Sequence, residues 1–268
     1  MILFPPAKVN IGLRVLGKRP DGYHEIESYM VPVGLYDALE LIPSDEFEFK
    51  YSGLSMEGHS DDNLCVRAYR LLEREYGIGP VYMHLLKTIP MGAGLGGGSS
   101  DAAYVIKGLN ELFVLDLSSE RMQELSAQLG SDCPFFIETC GQMAKGRGEQ
   151  LSMHPYEWGQ YWIQLINPGI HVSTAEAYAG VQFSGNDVSL EACLMQPVET
   201  WKYTIHNDFE HSVFARHPSL KQIKEQLYRE GALYASMSGS GSTIFGIYDQ
   251  KPKATHSDYF GWMGKIIG

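Results

Sequence analysis

The segment best equipped for chemistry is Pro90-Met91-Gly92-Ala93-Gly94-Leu95-Gly96-Gly97-Gly98-Ser99-Ser100. Five glycines within seven residues expose successive backbone N–H groups with no side chain in the way. An apolar stripe from Ala102 to Phe113 predicts a helix directly behind them. Gly92, Gly94, Leu95, Gly96, Gly97 and Gly98 would therefore wrap an anion at a helix N-terminus, where free donors and the positive end of the dipole coincide. Ser99 and Ser100 add hydroxyls able to reach a phosphate oxygen or a metal. Three phosphate-loop patterns compete. Gly92-x-Gly94-x-x-Gly97, with Asp116 beyond it, formally matches the dinucleotide fingerprint, but the strict β-α alternation that fingerprint needs is missing. A Walker A loop requires Lys after its last glycine, and Ser99 stands there instead. A plain linker rarely joins a strand to a well-patterned helix. A nucleotide loop of another type fits best.

The elements around the loop are legible from periodicity. Alternating Val9, Ile11, Leu13 and Val15 predict a strand over Ala7–Leu16, with Lys8, Asn10, Gly12 and Arg14 on its other face. Pro20-Asp21-Gly22 marks a turn into a second strand, Tyr23–Val31, making a hairpin. Phe47, Phe49 and Tyr51 alternate in a further strand. A helix follows over 63–76 with Asp61 or Asp62 as its cap, then a strand over Val81–Lys87. Ser119–Leu129 reads as a helix stopped by Gly130. Later segments predict a buried strand at Trp162–Ile166, a capping box Ser173-x-x-Glu176, a helix over 219–230 ended by Gly231, and a strand at Thr243–Tyr248. Strands and helices mix without strict alternation, so the fold class is α+β. A soft boundary divides the chain into 1–153 and 154–268.

Composition narrows the function classes. The 268 residues carry Lys+Arg 21 against Asp+Glu 32, a net charge of −11, which argues against coating a nucleic acid or binding an anionic membrane surface. No stretch approaches the roughly 18 apolar residues of a membrane span, and the first residues lack the features of a secretory leader. Cys65, Cys133, Cys140 and Cys193 form no zinc-like grouping, so reduced thiols and a cytoplasmic setting are expected. His206 and His211 are not spaced as a metalloprotease pair, and no residue is assigned as a metal ligand. Glycine, 29 of 268 residues, exceeds the usual ~7%. Its surplus concentrates in the loop described above.

Three segments, in order along the chain, resemble the motifs of the GHMP kinases: Pro6-Ala7-Lys8-Val9-Asn10, the 90–100 glycine loop, and Ser238-Gly239-Ser240-Gly241-Ser242. Four further segments resemble one branch of that family, whose acceptor is a cytidine diphosphate-linked methylerythritol of the non-mevalonate isoprenoid route. They are Arg19–Glu25, Gly94–Ala103, Gly130–Phe136 and Asn207–Glu210. The resemblance implies a two-domain GHMP kinase fold, with an N-terminal half like ribosomal protein S5 domain 2 and a ferredoxin-like C-terminal half. It also implies transfer of the ATP γ-phosphoryl group to the acceptor's 2-hydroxyl, with Mg²⁺ accompanying the nucleotide.

Residue roles follow only from that resemblance. Asp132 matches the catalytic carboxylate and Lys8 the catalytic lysine; read alone, they are a loop acid and a solvated strand residue. Tyr23 and His24 match a pair that holds cytosine, by stacking and by hydrogen bonding. Tyr178, with Thr174 nearby, matches a second aromatic against the base, although a capped helix explains that segment nearly as well. Asn63 and Lys87 match positions near ATP. Asn10, Gly239 and Ser240 match positions facing the acceptor. Ser131 and Cys133 depart from the family's usual Ala and Val, and Cys133 could make the site thiol-sensitive. Two alternatives stay open: a family member acting on homoserine or mevalonate, and a nucleotide-binding module without transfer activity. A nucleotide-dependent oxidoreductase is a more distant third. Tyr23 and His24 argue against the first, since those acceptors have no base to stack on. Lys8 and Asp132 argue against the second.

Overall fold

The structure, a computed structural model, describes residues 1–55, 62–181, 183, 188–253 and 258–267. In chain order it begins with β1 (Ile2–Leu3), β2 (Pro6–Lys18), β3 (His24–Tyr36), β4 (Ala38–Pro43), β5 (Glu48–Gly53), α1 (Leu64–Tyr76) and β6 (Val81–Lys87). Next come α2 (Gly97–Leu112), α3 (Ser119–Ala127), α4 (Phe135–Glu138), β7 (Gln142–Lys145), β8 (Gln150–Met153), β9 (Trp162–Asn167) and α5 (Thr174–Ala179). The remaining elements are α6 (Leu190–Leu194), α7 (Val198–Thr204), α8 (Phe209–Arg216), α9 (Pro218–Arg229), β10 (Tyr234–Met237), β11 (Ile244–Tyr248) and β12 (Phe260–Lys265). Contacts divide the chain into two compact units, 1–7 with 35–91 and 96–139, and 8–34 with 92–95 and 140–268.

The first unit holds a sheet of order β1-β4-β6-β5. β4 runs antiparallel to β6 with Leu41 opposite Met83, whereas β5 runs parallel to β6 with Phe49 opposite the same Met83. The parallel pair needs a crossover, and α1 supplies it. Leu39, Leu41, Val81, Met83 and Leu85 pack against Ala68 and Leu72 of α1 and against Ala102, Val105, Ile106 and Leu109 of α2. Each of these side chains is fully buried, and removing one such side chain from water stabilises by about 1.5–3 kcal/mol for the larger ones. The stripe read from the sequence is therefore the face of α2 that fixes the glycine loop to the sheet. After α2 the chain enters α3 rather than a strand parallel to β6. That connectivity excludes the dinucleotide fold and agrees with an α+β class.

The second unit contains two sheets, β2-β3-β7-β8 and β10-β11-β9-β12. β9 is flanked antiparallel by β11 and β12. Leu13, Ile166, Phe209, Val213, Leu220, Ile223, Leu227, Met237 and Ile244 form its core. Among the described residues no helix is long and apolar enough to cross a membrane.

Several element ends differ from those expected. The cap of α1 is Asn63, whose side chain accepts from Cys65 N at 2.8 Å, and not Asp62; Asp61 lies outside the described residues. An amide oxygen one residue later serves the first-turn donors equally well. α2 starts at Gly97, so the last glycines of the loop form its first turn. α3 ends at Ala127 with Gln128 as its cap, and Gly130 closes it by donating to Ser126 O at 3.4 Å. Ser173 does cap α5, accepting from Glu176 N at 3.1 Å. The Glu176 carboxylate, however, turns to Arg216 and His217 instead of completing a capping box.

Candidate active site

The glycine loop takes a left-handed backbone at Gly92, Gly94 and Gly96, with φ of 59°, 78° and 68°. Gly96 is the N-cap of α2 and places no side chain on the helix's first donors. The N–H groups opening α2 therefore form a cradle at the positive end of a 16-residue helix.

In the first unit, the start of α2 lies against the turn that carries Asp132. Ser99 of the first turn is in hydrogen-bonding contact with the Cys133 thiol. Gly130 sits so close to this pair that a Cβ there would stand 3.3 Å from Cys133 Sγ and 3.9 Å from Ser99 Oγ. Asp132 is half-buried between exposed Ser131 and buried Cys133. Burial pushes the Cys133 thiol up to about 12, so it is no thiolate at neutral pH despite its position beside the predicted base. Ser100 Oγ is buried without a hydrogen-bond partner.

Lys87, expected near ATP, has its side chain sealed beneath the loop, bonded to Asp37 and, at 2.8 Å, to Asp101 Oδ2. Burial by itself would lower the ammonium's pKa, but the carboxylates of Asp101 and Asp37 more than offset it and raise it above the ordinary lysine value. Asn63 is occupied as the cap of α1, one residue before Leu64, whose Cδ1 lies 3.8 Å from the Cβ position of Gly98.

In the second unit, β2 and the two glycine loops come together. Lys8 N donates to Leu95 O at 2.9 Å. The Lys8 ammonium, on a residue only 3% exposed, donates to Asn10 Oδ1. Asn10 Nδ2 donates to Ser28 Oγ at 2.9 Å, and Ser28 passes the chain on to Gly12 O at 2.6 Å. The loop of the third motif, Ser238–Ser242, packs on the phosphate loop: Ser238 Oγ donates to Gly94 O at 2.7 Å, and Thr243 N to Ala93 O at 3.2 Å. A Cβ on Gly94 would overlap the Ser238 carbonyl, so only glycine permits this approach. A Cβ on Gly239 would stand 3.4 Å from Asn10 Oδ1, which places that glycine beside the Lys8–Asn10 pair. Ser240 lies next to it at the tip of the same turn.

The same unit gathers the predicted base-binding residues only in part. His24, opening β3, stacks on Tyr178 of α5 with centroids 4.4 Å apart. Phe183 stands 6.2 Å from His24. Tyr23 is 57% exposed and packs under Arg147, with the guanidinium 4.8 Å from its ring centre. Thr174 is exposed at the first position of α5.

Four supporting residues escaped the sequence reading: Asp37, Asp101, Ser28 and Asn207. Asn207 Nδ2 donates to Met237 O and Gly239 O, both at 2.8 Å, and so shapes the third loop. Asp101 and Asn207 lie within recognisable motifs, whereas nothing local distinguishes Asp37 or Ser28. Among the described residues no group of three or more His, Cys, Asp or Glu is placed to hold a metal ion.

The chain has recognisable relatives. The model for the GHMP kinases N terminal domain matches residues 63–139, and that for the GHMP kinases C terminal matches residues 192–256. A protein of Cytophaga hutchinsonii named 4-diphosphocytidyl-2-C-methyl-D-erythritol kinase is 50% identical over 96% of both chains. A protein of the same name from Bacteroides thetaiotaomicron is 46% identical over 97% of this chain and 96% of its own. A crystal structure of 4-(cytidine 5'-diphospho)-2C-methyl-D-erythritol kinase superposes with a TM-score of 0.84 at 33% identity, covering both chains completely.

Proposed function

Since the chain belongs to the GHMP kinases, in their 4-diphosphocytidyl-2-C-methyl-D-erythritol kinase branch, we propose that it transfers the γ-phosphoryl group of ATP to the 2-hydroxyl of 4-(cytidine 5'-diphospho)-2-C-methyl-D-erythritol. The observation that carries the mechanism is the packing of the α2 N-terminus against the 130–133 turn. It brings anion-binding donors and the turn that carries Asp132 to one end of one helix. Phosphoryl transfer is chiefly positioning and charge stabilisation, so these two elements are the ones the reaction needs.

In this reading the cradle of residues 92–100 binds the ATP phosphates through backbone N–H groups. Asp132 accepts the proton of the acceptor hydroxyl as the oxygen attacks the γ-phosphorus, and ADP leaves. Lys8 supplies positive charge at the reacting groups, its ammonium held in place by Asn10 and the Ser28 relay. His24 and Tyr178 take the cytosine, with Tyr23 as a second aromatic, and Thr174 and the 239–240 turn line the acceptor side. Asn63 borders the nucleotide.

Mg²⁺ fits this site as a companion of the phosphates: the buried, unpartnered hydroxyl of Ser100 suits an oxygen-preferring ion that keeps most of its waters. When bound it would neutralise phosphate charge. In this reading the two lobes of the fold are 1–153 and 154–268, whereas the compact units group 8–34, 92–95 and 140–153 with the C-terminal part. A reduced, cytoplasmic setting suits four cysteines of which none is in a disulfide.

The test is ADP release in a coupled assay with the cytidine diphosphate acceptor, homoserine and mevalonate in parallel. Release with the first alone is expected. Release with homoserine or mevalonate alone would overturn the substrate, and none with any acceptor would leave only a nucleotide-binding module.

A further inference from the structure

Lys87 closes β6, and its backbone is fixed there: Leu54 N donates to Lys87 O at 2.8 Å, and Gly53 lies so near that carbonyl that no side chain fits. Its ammonium meets two carboxylates from different elements. Asp37, at the corner between β3 and β4, accepts from it and also from the backbone N–H groups of Thr88 and, at 2.9 Å, Ile89. Asp101, in the second turn of α2, accepts from it at 2.8 Å. The side chains of all three are at most 2% exposed. Directly above stands the loop: a Cβ on Gly97 would lie 2.9 Å from Lys87 Nζ and 2.9 Å from Ile89 Cγ2.

We propose that Lys87 is a positioning residue, which with Asp37 and Asp101 clamps the first turn of α2 at the height where its N–H groups meet the nucleotide phosphates, and does not itself touch ATP. This rests on the kinase reading above. A clamp of this kind explains why a buried ion cluster is retained. Hydrophobic replacements often match such clusters for stability, but they would not tie a strand end, a strand corner and a helix start to one point.

The cluster is also a charge reservoir under the phosphate site. Asp37, Lys87, Asp101 and the Cys65 thiol of α1 face one another there. Burial, helped by the Asp37 carboxylate and opposed by Lys87, pushes the Asp101 carboxyl up to about 8. Above that pH a second buried carboxylate stands ionised beneath the bound polyphosphate.

The experiment measures equilibrium binding of ATP, together with KM for ATP and for the acceptor, in Lys87→Met, Asp37→Asn and their combination. Small displacements of a site's positioning frame can cost up to about a hundredfold. Lys87→Met and Asp37→Asn are each expected to weaken ATP about tenfold or more within that range, with acceptor KM held within about twofold. The combination should cost no more than the worse single change, because both remove one unit. Unchanged ATP binding in Asp37→Asn, or additive losses in the pair, would place Lys87 on the nucleotide and overturn the proposal. Should these variants not fold, Asp101→Asn decides by the same readout, with ATP expected to bind about tenfold more weakly and the acceptor KM held within about twofold. Unchanged ATP binding in that variant would also overturn the proposal. Binding is read without turnover, so failure to phosphorylate any acceptor would strike the kinase reading alone.

Discussion

The imidazole of His24 lies flat on the phenol ring of Tyr178, centroids 4.4 Å apart and planes inclined by 14°. Phe209 meets Tyr178 nearly at right angles, with ring centroids 4.8 Å apart, and braces it. A braced ring is a platform of low conformational freedom, suited to a nucleobase. Stacking on an aromatic contributes roughly 1–3 kcal/mol per base. Tyr178→Ala should therefore raise the acceptor KM by about 5- to 150-fold while leaving the ATP KM unchanged, and Tyr178→Phe should retain the wild-type value. Steady-state kinetics with each substrate varied separately checks this.

Asp132 sits on a turn whose neighbours are fixed by Ser99 and Cys133. Replacing its carboxylate by an amide keeps the shape and removes the proposed base. General-base contributions run to about 10²–10⁴-fold, so Asp132→Asn should lose kcat on that scale with both KM values within a few-fold. Near-normal kcat would remove Asp132 from the proton transfer.

Gly94 and Gly22 both have positive φ, 78° and 86°, yet only Gly94 is crowded. A methyl at Gly22 meets nothing within 4 Å, so Gly22→Ala costs only the left-handed backbone term, about 1–2 kcal/mol. Gly94→Ala adds overlap with the Ser238 carbonyl and should cost roughly 3 kcal/mol or more in total. Urea unfolding midpoints compare the two, and equal shifts would contradict the packing of the second loop on the third.

The four cysteines differ sharply in accessibility. Cys65, Cys133 and Cys193 are buried, and burial raises the thiol pKa of Cys65 and Cys133, whereas Cys140 is half-exposed. Alkylation at pH 7.5 should modify Cys140 first, with Cys133 reacting only as fast as the unit opens. Peptide mapping after brief labelling reads this directly. Early modification of Cys133 would show the 130–133 turn to be open.

Asp101 makes stability depend on pH with an unusual sign. Its folded-state pKa, raised to about 8, exceeds the unfolded value, so the folded chain binds the extra proton. Stability from this group then falls as pH rises from about 4 to about 8 and levels off beyond. Asp101→Asn should gain on the unsubstituted chain across that window, an expectation that chemical denaturation at pH 5, 6.5 and 8 can measure. A constant difference between them would show Asp101 ionised throughout.

Much of the site was readable because its signals are contiguous. Glycine at 92, 94 and 96 announces the left-handed turns that the loop adopts, and the stripe from Ala102 to Leu109 is the face that packs on the sheet. The strands at 7–16, 81–87 and 162–166 were visible through their alternating or apolar runs. β12 was not: Phe260-Gly-Trp-Met-Gly-Lys has two glycines and no clean alternation, and it becomes a strand because β9 offers it a full edge. Tertiary pairing overrode a weak local preference there.

What the sequence determined by itself was the local menu: where the backbone turns left-handed, which faces are apolar, and which helix end would gather an anion. Those properties depend on φ preferences and periodicity within a few residues. The tertiary structure alone decided that Lys87 faces inward to Asp37, 50 residues away, and not outward to a ligand. It alone laid His24 on Tyr178 and left Tyr23 under Arg147. The same lysine suits either a solvated strand end or a buried ion cluster. The choice between them is made by which carboxylates the sheet and helix bring within reach, since a buried charge persists only where partners offset its lost hydration.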